Sequence, residues 1–168
     1  IHDPLTGLYN RRFIEKKLEQ EFASALEHHT QVGLIMLDID HFRTLNGTYG
    51  HNVGDRMLQQ VGEYLKQQAQ ENIISCRYGD GEFMLIWPNV SFPELHQQAK
   101  TLREGVKEHV RIPYNQTTLT ITVSLGVACF PEHGAHIHDI LKAADLALYK
   151  AKAGGRDRVE VASADPKT

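Results

Sequence analysis

The stretch from Cys76 to Met84, CRYGDGEFM, decides how the rest of the chain is organised. One apolar run, beginning at Ile73, leads into it, and a second, Phe83 to Trp87, follows it. An Asp-Gly pair between two such runs is the strongest short-range signal for a tight β-hairpin. Glycines in a turn also let the backbone approach a ligand closely, phosphate oxygens included. Taken alone, the stretch fits an ordinary surface hairpin better than a ligand site, so the remaining sequence must decide.

Composition limits the classes of protein to which the chain can belong. Its 168 residues, of which 41% are apolar, suit one globular domain. We expect that domain at residues 1–162, with a C-terminal tail at 163–168. The net charge of -3 and the lack of a basic block give no electrostatic support for nucleic-acid binding. No apolar run approaches the roughly 18 residues of a membrane span. A reduced, cytoplasmic setting is expected, with Cys76 and Cys129 as small buried apolar residues.

Apolar periodicity predicts the helices and strands around the hairpin. Helices are expected to about Glu27, over the segment that carries Met57 and Leu65, from Pro93, and from Asp139 to Ala153. A buried strand is expected at Val32–Ile39, another at Leu119–Cys129, and a short edge strand at Arg158–Val161, while Asn46 to His51 has the composition of a loop. The order predicts an α+β fold with the ferredoxin-like split β-α-β-β-α-β arrangement, a mainly antiparallel sheet with helices on one face.

The buried strand ends in two carboxylates, at Asp38 and Asp40. An unpaired charge at the end of a buried strand is costly to desolvate, so a bound cation is expected there. In the split arrangement this strand end lies beside the central hairpin. The convergence predicts a two-metal nucleotidyl-transfer site. By contrast, His133, His136 and His138 lack a metal-binding spacing and are expected to be solvated loop residues.

Four separated stretches resemble the GGDEF family of diguanylate cyclases, and together they cover the chain from Asp3 to about Val159. They are an N-terminal turn, the end of the buried strand, a glycine-rich segment in the first half and the last long helix. In order, their residues are DPLTGLYNRR (3–12), LDIDHF (37–42), Asn46 with GHNVGD (50–55), and ADLALYKAK (144–152) with Gly155 and Arg156.

The resemblance implies a palm-like fold and a reaction in which two GTP-loaded domains face each other. Each 3′-hydroxyl attacks the α-phosphate of the other nucleotide, which gives cyclic di-GMP and pyrophosphate, so any cyclase activity requires a homodimer. It also implies a role for each matching residue. Mg²⁺ or Mn²⁺ would be bound by Asp38, the Ile39 carbonyl and Asp40. Guanine would be read by Asn46 and Asp55, and the phosphates would be held by the amides near His41 and Phe42 together with Lys152 and Arg156. Glu82 would deprotonate or orient the attacking hydroxyl.

The chain departs from the family pattern at its signature. The family has Gly-Gly-Asp/Glu-Glu-Phe, and this chain has Gly79, Asp80, Gly81, Glu82 and Phe83, so the second and third letters are exchanged. The third letter supplies a metal-binding carboxylate that Gly81 lacks, and losing a group that merely supports a metal ligand already costs roughly 10- to 100-fold. We therefore expect a weakly bound metal, with Asp80 repelling phosphate. The family's inhibitory Arg-x-x-Asp site corresponds here to residues 70–73, QENI, so no inhibitory site is expected.

Three hypotheses follow for function. The chain could be a GTP-binding signalling module with weak or lost cyclase activity, which the exchanged signature favours. It could be an active cyclase that tolerates the exchange. It could also be a dimerisation or protein-interaction module that no longer uses its pocket. We further expect a fragment of a longer multidomain protein, with cyclic di-GMP as a candidate ligand and any membrane link supplied by neighbouring domains.

Overall fold

A computed structural model describes residues 1–69 and 72–164 of the chain. They form five helices and seven strands, and the hairpin around Asp80 and Gly81 is formed by the second and third strands. In chain order they are α1 Arg11–His28, β1 Val32–Ile39, α2 Phe42–Tyr49, α3 His51–Gln68, β2 Ile74–Gly79, β3 Glu82–Pro88, α4 Phe92–His109, β4 Arg111–Tyr114, β5 Thr117–Thr120, β6 Val123–Phe130, α5 Ile137–Ala153 and β7 Val159–Val161.

The central sheet has five strands in the order β2-β3-β1-β6-β7. β1 pairs antiparallel with both β3 and β6, and only β7 runs parallel to its neighbour. Strands β1 and β6 are buried along their whole length apart from Asp38, because helices cover the sheet. This arrangement confirms the predicted α+β, ferredoxin-like class, and it places the end of β1 beside the tip of the β2–β3 hairpin.

Helices cover both faces of the sheet, so the expectation that they lie on one face was wrong. Alternate side chains of β1 point to opposite sides, since a strand has a period of two residues. Ile35 and Leu37 pack with the apolar residues of α3 and α4. Leu34 and Met36 pack on the other side with those of α1 and α5. The amphipathic α1 and α5 account for the second layer, and α5 carries Lys152 at its C-terminal end.

Two local predictions were also wrong. The segment Asn46 to His51, expected to be a loop, contains the end of α2 and the start of α3. The strand expected at Leu119–Cys129 is interrupted after Thr120, and β4 and β5 form a separate two-stranded sheet. Their connection holds Asn115 and Gln116 at φ values of 43° and 68°, both in the left-handed region. A two-residue turn with both values positive belongs to hairpins, but neither residue is the glycine that usually marks it.

The structure also tests what was expected of the two cysteines and of His133. Both cysteines are free and buried, as predicted. His133 is only 7% exposed and accepts a hydrogen bond from the Cys129 amide at 2.8 Å, so its assignment as a solvated histidine was wrong. Among the helices of the described ranges, none combines the length and hydropathy that a bilayer span requires.

Candidate functional site

The tip of the β2–β3 hairpin is held tightly against the end of β1 and the start of α2. The Ile39 amide donates a hydrogen bond to the Gly81 carbonyl at 3.0 Å. Gly81 has φ +74°, and a Cβ atom built there would lie 2.9 Å from Cδ2 of Phe42. Position 81 therefore requires glycine in this turn for two reasons, its backbone conformation and its lack of space.

Asp38 and Glu82 are direct neighbours across the β1–β3 ladder, which places two carboxylates side by side. Burial raises the pKa of the Asp38 carboxyl, and this effect outweighs the opposing influence of Lys152. Burial and then the charge of Asp38 likewise raise the pKa of the Glu82 carboxyl. The Lys152 ammonium forms an ion pair with Asp38. The two carboxylates of Asp38 and Glu82 thus carry negative charge that Lys152 does not fully compensate, and such carboxylates are typical of functional sites.

We expect the substitution Glu82→Gln to stabilise the folded chain at pH 7. An acid whose pKa is raised by folding binds more protons in the folded state, so stability falls as pH rises through the interval that begins at its ordinary value of 4.5. Above that interval the cost of the charge is complete, and removing it should raise stability by a few tenths to about 1 kcal/mol. The gain should shrink toward pH 4. Thermal unfolding across pH measures it.

The control for this prediction is Glu63→Gln, which makes the same change at an exposed position of α3. It should leave the unfolding temperature nearly unchanged at every pH. A Glu82→Gln chain that is less stable than the unmodified chain at pH 7 would contradict the account of this carboxylate pair.

A cleft of about 530 Å³ opens beside the carboxylate pair. The N-terminus of α2 forms one wall, where Phe42, Arg43 and Thr44 border the cleft. The first amides of a helix lack intrahelical partners and favour anions. Lys152 and Arg156 supply two cations on another wall. Amides and cations around one space are suited to binding a polyphosphate.

All the predicted phosphate-binding residues lie on this cleft, and so do Asp38, Ile39, Asp40 and Glu82. His41 lines it as well, at φ 58°, in the left-handed region that leads into α2. The structure thereby brings together the residues that the sequence placed at the metal and phosphate positions. It does not assign them ligands, and their roles stay predictions.

Asp40 lies at the same end of β1, but both of its carboxylate oxygens accept hydrogen bonds from the protein. Oδ1 accepts from Ser124 Oγ, and Oδ2 accepts from Thr122 Oγ1 and from the Asp157 amide. A metal ion would have to compete with three donors. The geometry therefore disfavours Asp40 as a metal ligand.

Asp80, the residue that breaks the family pattern, lies at the rim of the cleft with 82% of its side chain exposed. Its carboxylate is 3.7 Å from the guanidinium of Arg77, which also contacts Asp3 of the N-terminal turn at 3.4 Å. Exposed pairs of this kind are weak, about 0–1 kcal/mol. Arg77 nevertheless offsets part of the charge that Asp80 would present to phosphate. Arg77 had no predicted role, although it lies within the stretch that organises the fold.

The predicted guanine-binding residues lie on α2 and α3, outside the cleft lining. Asn46 follows Phe42 by four residues, so both lie on one side of α2. Its side-chain oxygen packs directly against Gly54, the residue before the exposed Asp55, and a Cβ atom at position 54 would clash with it. Gly54 therefore allows Asn46 and Asp55 to lie near each other. The segment from Gly50 to Asp55 indicated the guanine-binding residues, but the contact between Asn46 and Gly54 depends on how α2 and α3 pack.

The residues present fit a divalent cation only in part. No group of three His, Cys, Asp or Glu side chains in the described ranges is placed to hold a metal. Asp38, Glu82 and the Ile39 carbonyl offer hard oxygen atoms, and Mg²⁺ commonly binds through one or two carboxylates plus substrate phosphates. A cation is thus compatible with this end of the cleft if phosphate completes its coordination.

The segment corresponding to the family's inhibitory site includes residues 70 and 71, which lie outside the described ranges.

Comparisons with known proteins agree with this geometry. Residues 1–158 match the family described as "Diguanylate cyclase, GGDEF domain". The chain is 37% identical over 161 residues to the probable diguanylate cyclase DgcC of Escherichia coli, covering 96% of this chain and 43% of DgcC. It is 32% identical over 160 residues to the response regulator PleD of Caulobacter vibrioides, covering 95% of this chain and 35% of PleD. The chain spans less than half the length of these curated relatives.

A solved GGDEF domain also has the same fold as this chain. The GGDEF domain of DgcB from Caulobacter crescentus, determined in complex with c-di-GMP, superimposes with a TM-score of 0.90 at 34% identity. The alignment covers 97% of this chain and 93% of the DgcB domain.

Proposed function

The chain belongs to the GGDEF family of diguanylate cyclase domains, and on that premise we propose that it is a GTP-binding regulatory module of cyclic di-GMP signalling whose own cyclase activity is weak or lost. The observation that carries the proposal is Gly81. The third signature position has no carboxylate, and the turn around it has neither the conformation nor the space for one. The family reaction joins two GTP molecules, and this chain retains most of the residues for holding GTP.

The residues placed to bind phosphate and guanine support the proposal that the chain still binds GTP. Lys152, Arg156 and the first amides of α2 surround the cleft and would hold the phosphates. Asn46 and Asp55 would read the guanine base. A carboxylate accepts hydrogen bonds from guanine N1–H and its amine, a pair of donors that adenine lacks.

The part of the site that we propose to be impaired is the metal-binding part, which the cyclase reaction requires. Mg²⁺ or Mn²⁺, held by Asp38, the Ile39 carbonyl and Glu82, would neutralise charge on the transferring phosphate. With no carboxylate at position 81 this ion would be weakly bound. Glu82 would then have to help bind the cation and to orient the attacking hydroxyl, and one carboxylate serves both roles poorly.

The remaining expectations extend this proposal to the whole protein. We propose that residues 1–162 form one GGDEF domain, with residues 163–168 as a tail, inside a longer multidomain protein. The domain would act in the cytoplasm, and neighbouring domains would supply any membrane anchor. Cyclase activity would need a homodimer, and cyclic di-GMP is a candidate ligand because the DgcB neighbour was solved with c-di-GMP.

A second candidate is an active cyclase that tolerates the exchanged signature. The pairing of Asp38 with Glu82 favours it, because two carboxylates remain next to each other. Turnover that increases with the square of chain concentration would support this candidate, since the reaction requires two loaded domains.

We expect GTP to raise the unfolding temperature of the chain and ATP to raise it much less. At about 100 times the Kd a ligand adds about 2.7 kcal/mol of stability, which is roughly 5–10 °C for a domain of this size. Gly54→Ala should reduce the response to GTP to that of ATP, because its methyl group displaces Asn46. Differential scanning fluorimetry measures both effects.

The matched control for this test is Gly47→Ala. It lies on α2 with no heavy atom within 4 Å of the added methyl group, so the GTP response should persist. Equal shifts with GTP and ATP in the unmodified chain would contradict guanine recognition. No shift with either nucleotide would favour the third hypothesis, an interaction module that no longer uses its pocket.

A further inference from the structure

The loop that follows α5 carries Arg156 to the cleft, and its backbone is unusual. Arg156 and Asp157 have φ values of 64° and 49°, so two successive residues with side chains adopt the left-handed region. Such conformations cost energy and persist where surrounding contacts impose them. Contacts from outside the loop are therefore needed to keep Arg156 in place.

Asp40 supplies the first of these contacts. Its carboxylate, 7% exposed, accepts the Asp157 amide at 3.0 Å on Oδ2. The same carboxylate is fixed by the Thr122 and Ser124 hydroxyls, each at 2.6 Å, at the start of β6. Asp40 thus connects the end of β1, the start of β6 and the loop. A buried carboxylate with three donors is held rigidly, because each lost partner would leave a desolvated polar group.

Helix α4 supplies the second contact through Asp157. The Asp157 carboxylate lies 2.7 Å from Arg103 and 2.8 Å from Lys107, one turn apart on α4. These two cations lower the pKa of the Asp157 carboxyl despite an opposing effect of burial. The residue after Arg156 is therefore held at its amide by Asp40 and at its side chain by α4.

We propose that Asp40 and Asp157 are positioning residues for phosphate binding, which hold the loop so that the Arg156 guanidinium reaches the cleft. In this role both act through the loop rather than by binding the nucleotide or a metal ion themselves. The inference rests on the proposed function, because it assumes that Arg156 binds phosphate. It gives Asp40 a role different from the metal ligation predicted from the sequence, and it explains why a buried carboxylate beside the site accepts three hydrogen bonds from the protein.

The first test needs no nucleotide. Asp40→Ala should accelerate amide hydrogen exchange at residues 154–158 about 10-fold or more, while the cores of β1 and β6 keep their protection. Asp40→Asn should preserve the slow exchange, because its carbonyl oxygen can still accept the Asp157 amide. Unchanged exchange in the loop of Asp40→Ala would overturn the proposal, as would an equal loss of protection throughout the sheet.

The second test connects the loop to binding through a double-mutant cycle with Arg156→Gln. Asp40→Ala should weaken GTP binding about 10-fold when Arg156 is present and less than about twofold when it is replaced. Equal losses in both backgrounds would show that Asp40 acts through general stability and would overturn the proposal. If Asp40→Ala does not fold, the α4 double variant Arg103→Ala with Lys107→Ala replaces it in the same cycle, with the same criterion.

The two tests separate this proposal from the proposed function. A chain that binds no GTP contradicts the proposed function, but the exchange experiment still decides whether Asp40 fixes the loop. A chain that binds GTP with a loop insensitive to Asp40 retains the proposed function and loses this inference.

Discussion

The double substitution Asp80→Gly with Gly81→Asp is expected to raise cyclic di-GMP formation by about 10- to 100-fold or more over the unmodified chain. It returns a carboxylate to the third signature position, next to Asp38 and Glu82, where it can complete a cation site. The magnitude follows from the cost of losing even a group that only supports a metal ligand.

The structure shows why the two changes must be made together. The loop of the hairpin consists of residues 80 and 81, and only the second has a positive φ. Exchanging the pair places glycine first, where it can take the positive φ of a type II′ hairpin turn and release position 81 from it. Gly81→Asp alone would force a side chain into the left-handed region and against Phe42. That single variant should lose about 1–2 kcal/mol of stability and gain little activity.

Chromatographic detection of cyclic di-GMP after incubation with GTP, with Mg²⁺ and Mn²⁺ tested separately, measures this prediction. The single variant Gly81→Asp is the matched control. If the unmodified chain makes as much product as the exchanged one, the missing carboxylate does not limit the reaction. Asp38 and Glu82 would then suffice, and the second candidate function would be correct.

The substitution Lys152→Gln is expected to weaken GTP binding about 10- to 100-fold in the absence of divalent cations. A hydrogen bond to a charged group contributes about 1.5–3 kcal/mol, and each 1.4 kcal/mol is tenfold in affinity. The loss has a second cause. Lys152 compensates Asp38, so its removal leaves two neighbouring carboxylates, Asp38 and Glu82, facing the incoming phosphates.

Lys150→Gln is the control for this substitution, because it removes the same charge from an exposed position two residues earlier on α5. Isothermal titration with GTP in chelator should show nearly unchanged affinity for it. Equal losses for the two variants would mean that the general charge of the helix end, rather than a contact in the cleft, attracts the nucleotide.

Much of the fold was predictable because its signals are local. The continuous apolar run Val32–Ile39 indicated β1 with its observed bounds, and Asp-Gly between apolar runs indicated the hairpin. These two elements placed Asp38 beside Glu82. The sequence therefore identified the end of the sheet where the cleft lies before any contact was known.

The errors concern structure that depends on distant contacts. Helix α2 has eight residues, among them Gly47, and begins without a side-chain cap. Its composition favours a turn, and the burial of Phe42 is what holds it. The strand expected at Leu119–Cys129 is interrupted where the Asp40 amide donates to the Thr122 carbonyl at 2.9 Å.

Asp40 illustrates the same limit within the site. Its position after a buried strand predicted a charged group in need of a partner, and that requirement was correct. The partners are hydroxyls and an amide located 82, 84 and 117 residues away. No local pattern shows whether such a carboxylate meets a metal or the protein's own donors.

The central claim is that this chain holds GTP through protein contacts while its metal site is weak. Titration of the unmodified chain with GTP, once in excess Mg²⁺ and once in chelator, tests it most directly. The account predicts two affinities within about threefold of each other, a difference below ~1 kcal/mol. An affinity that falls by about 100-fold or more in chelator would contradict it and would show that Asp38 and Glu82 hold the cation without a third carboxylate.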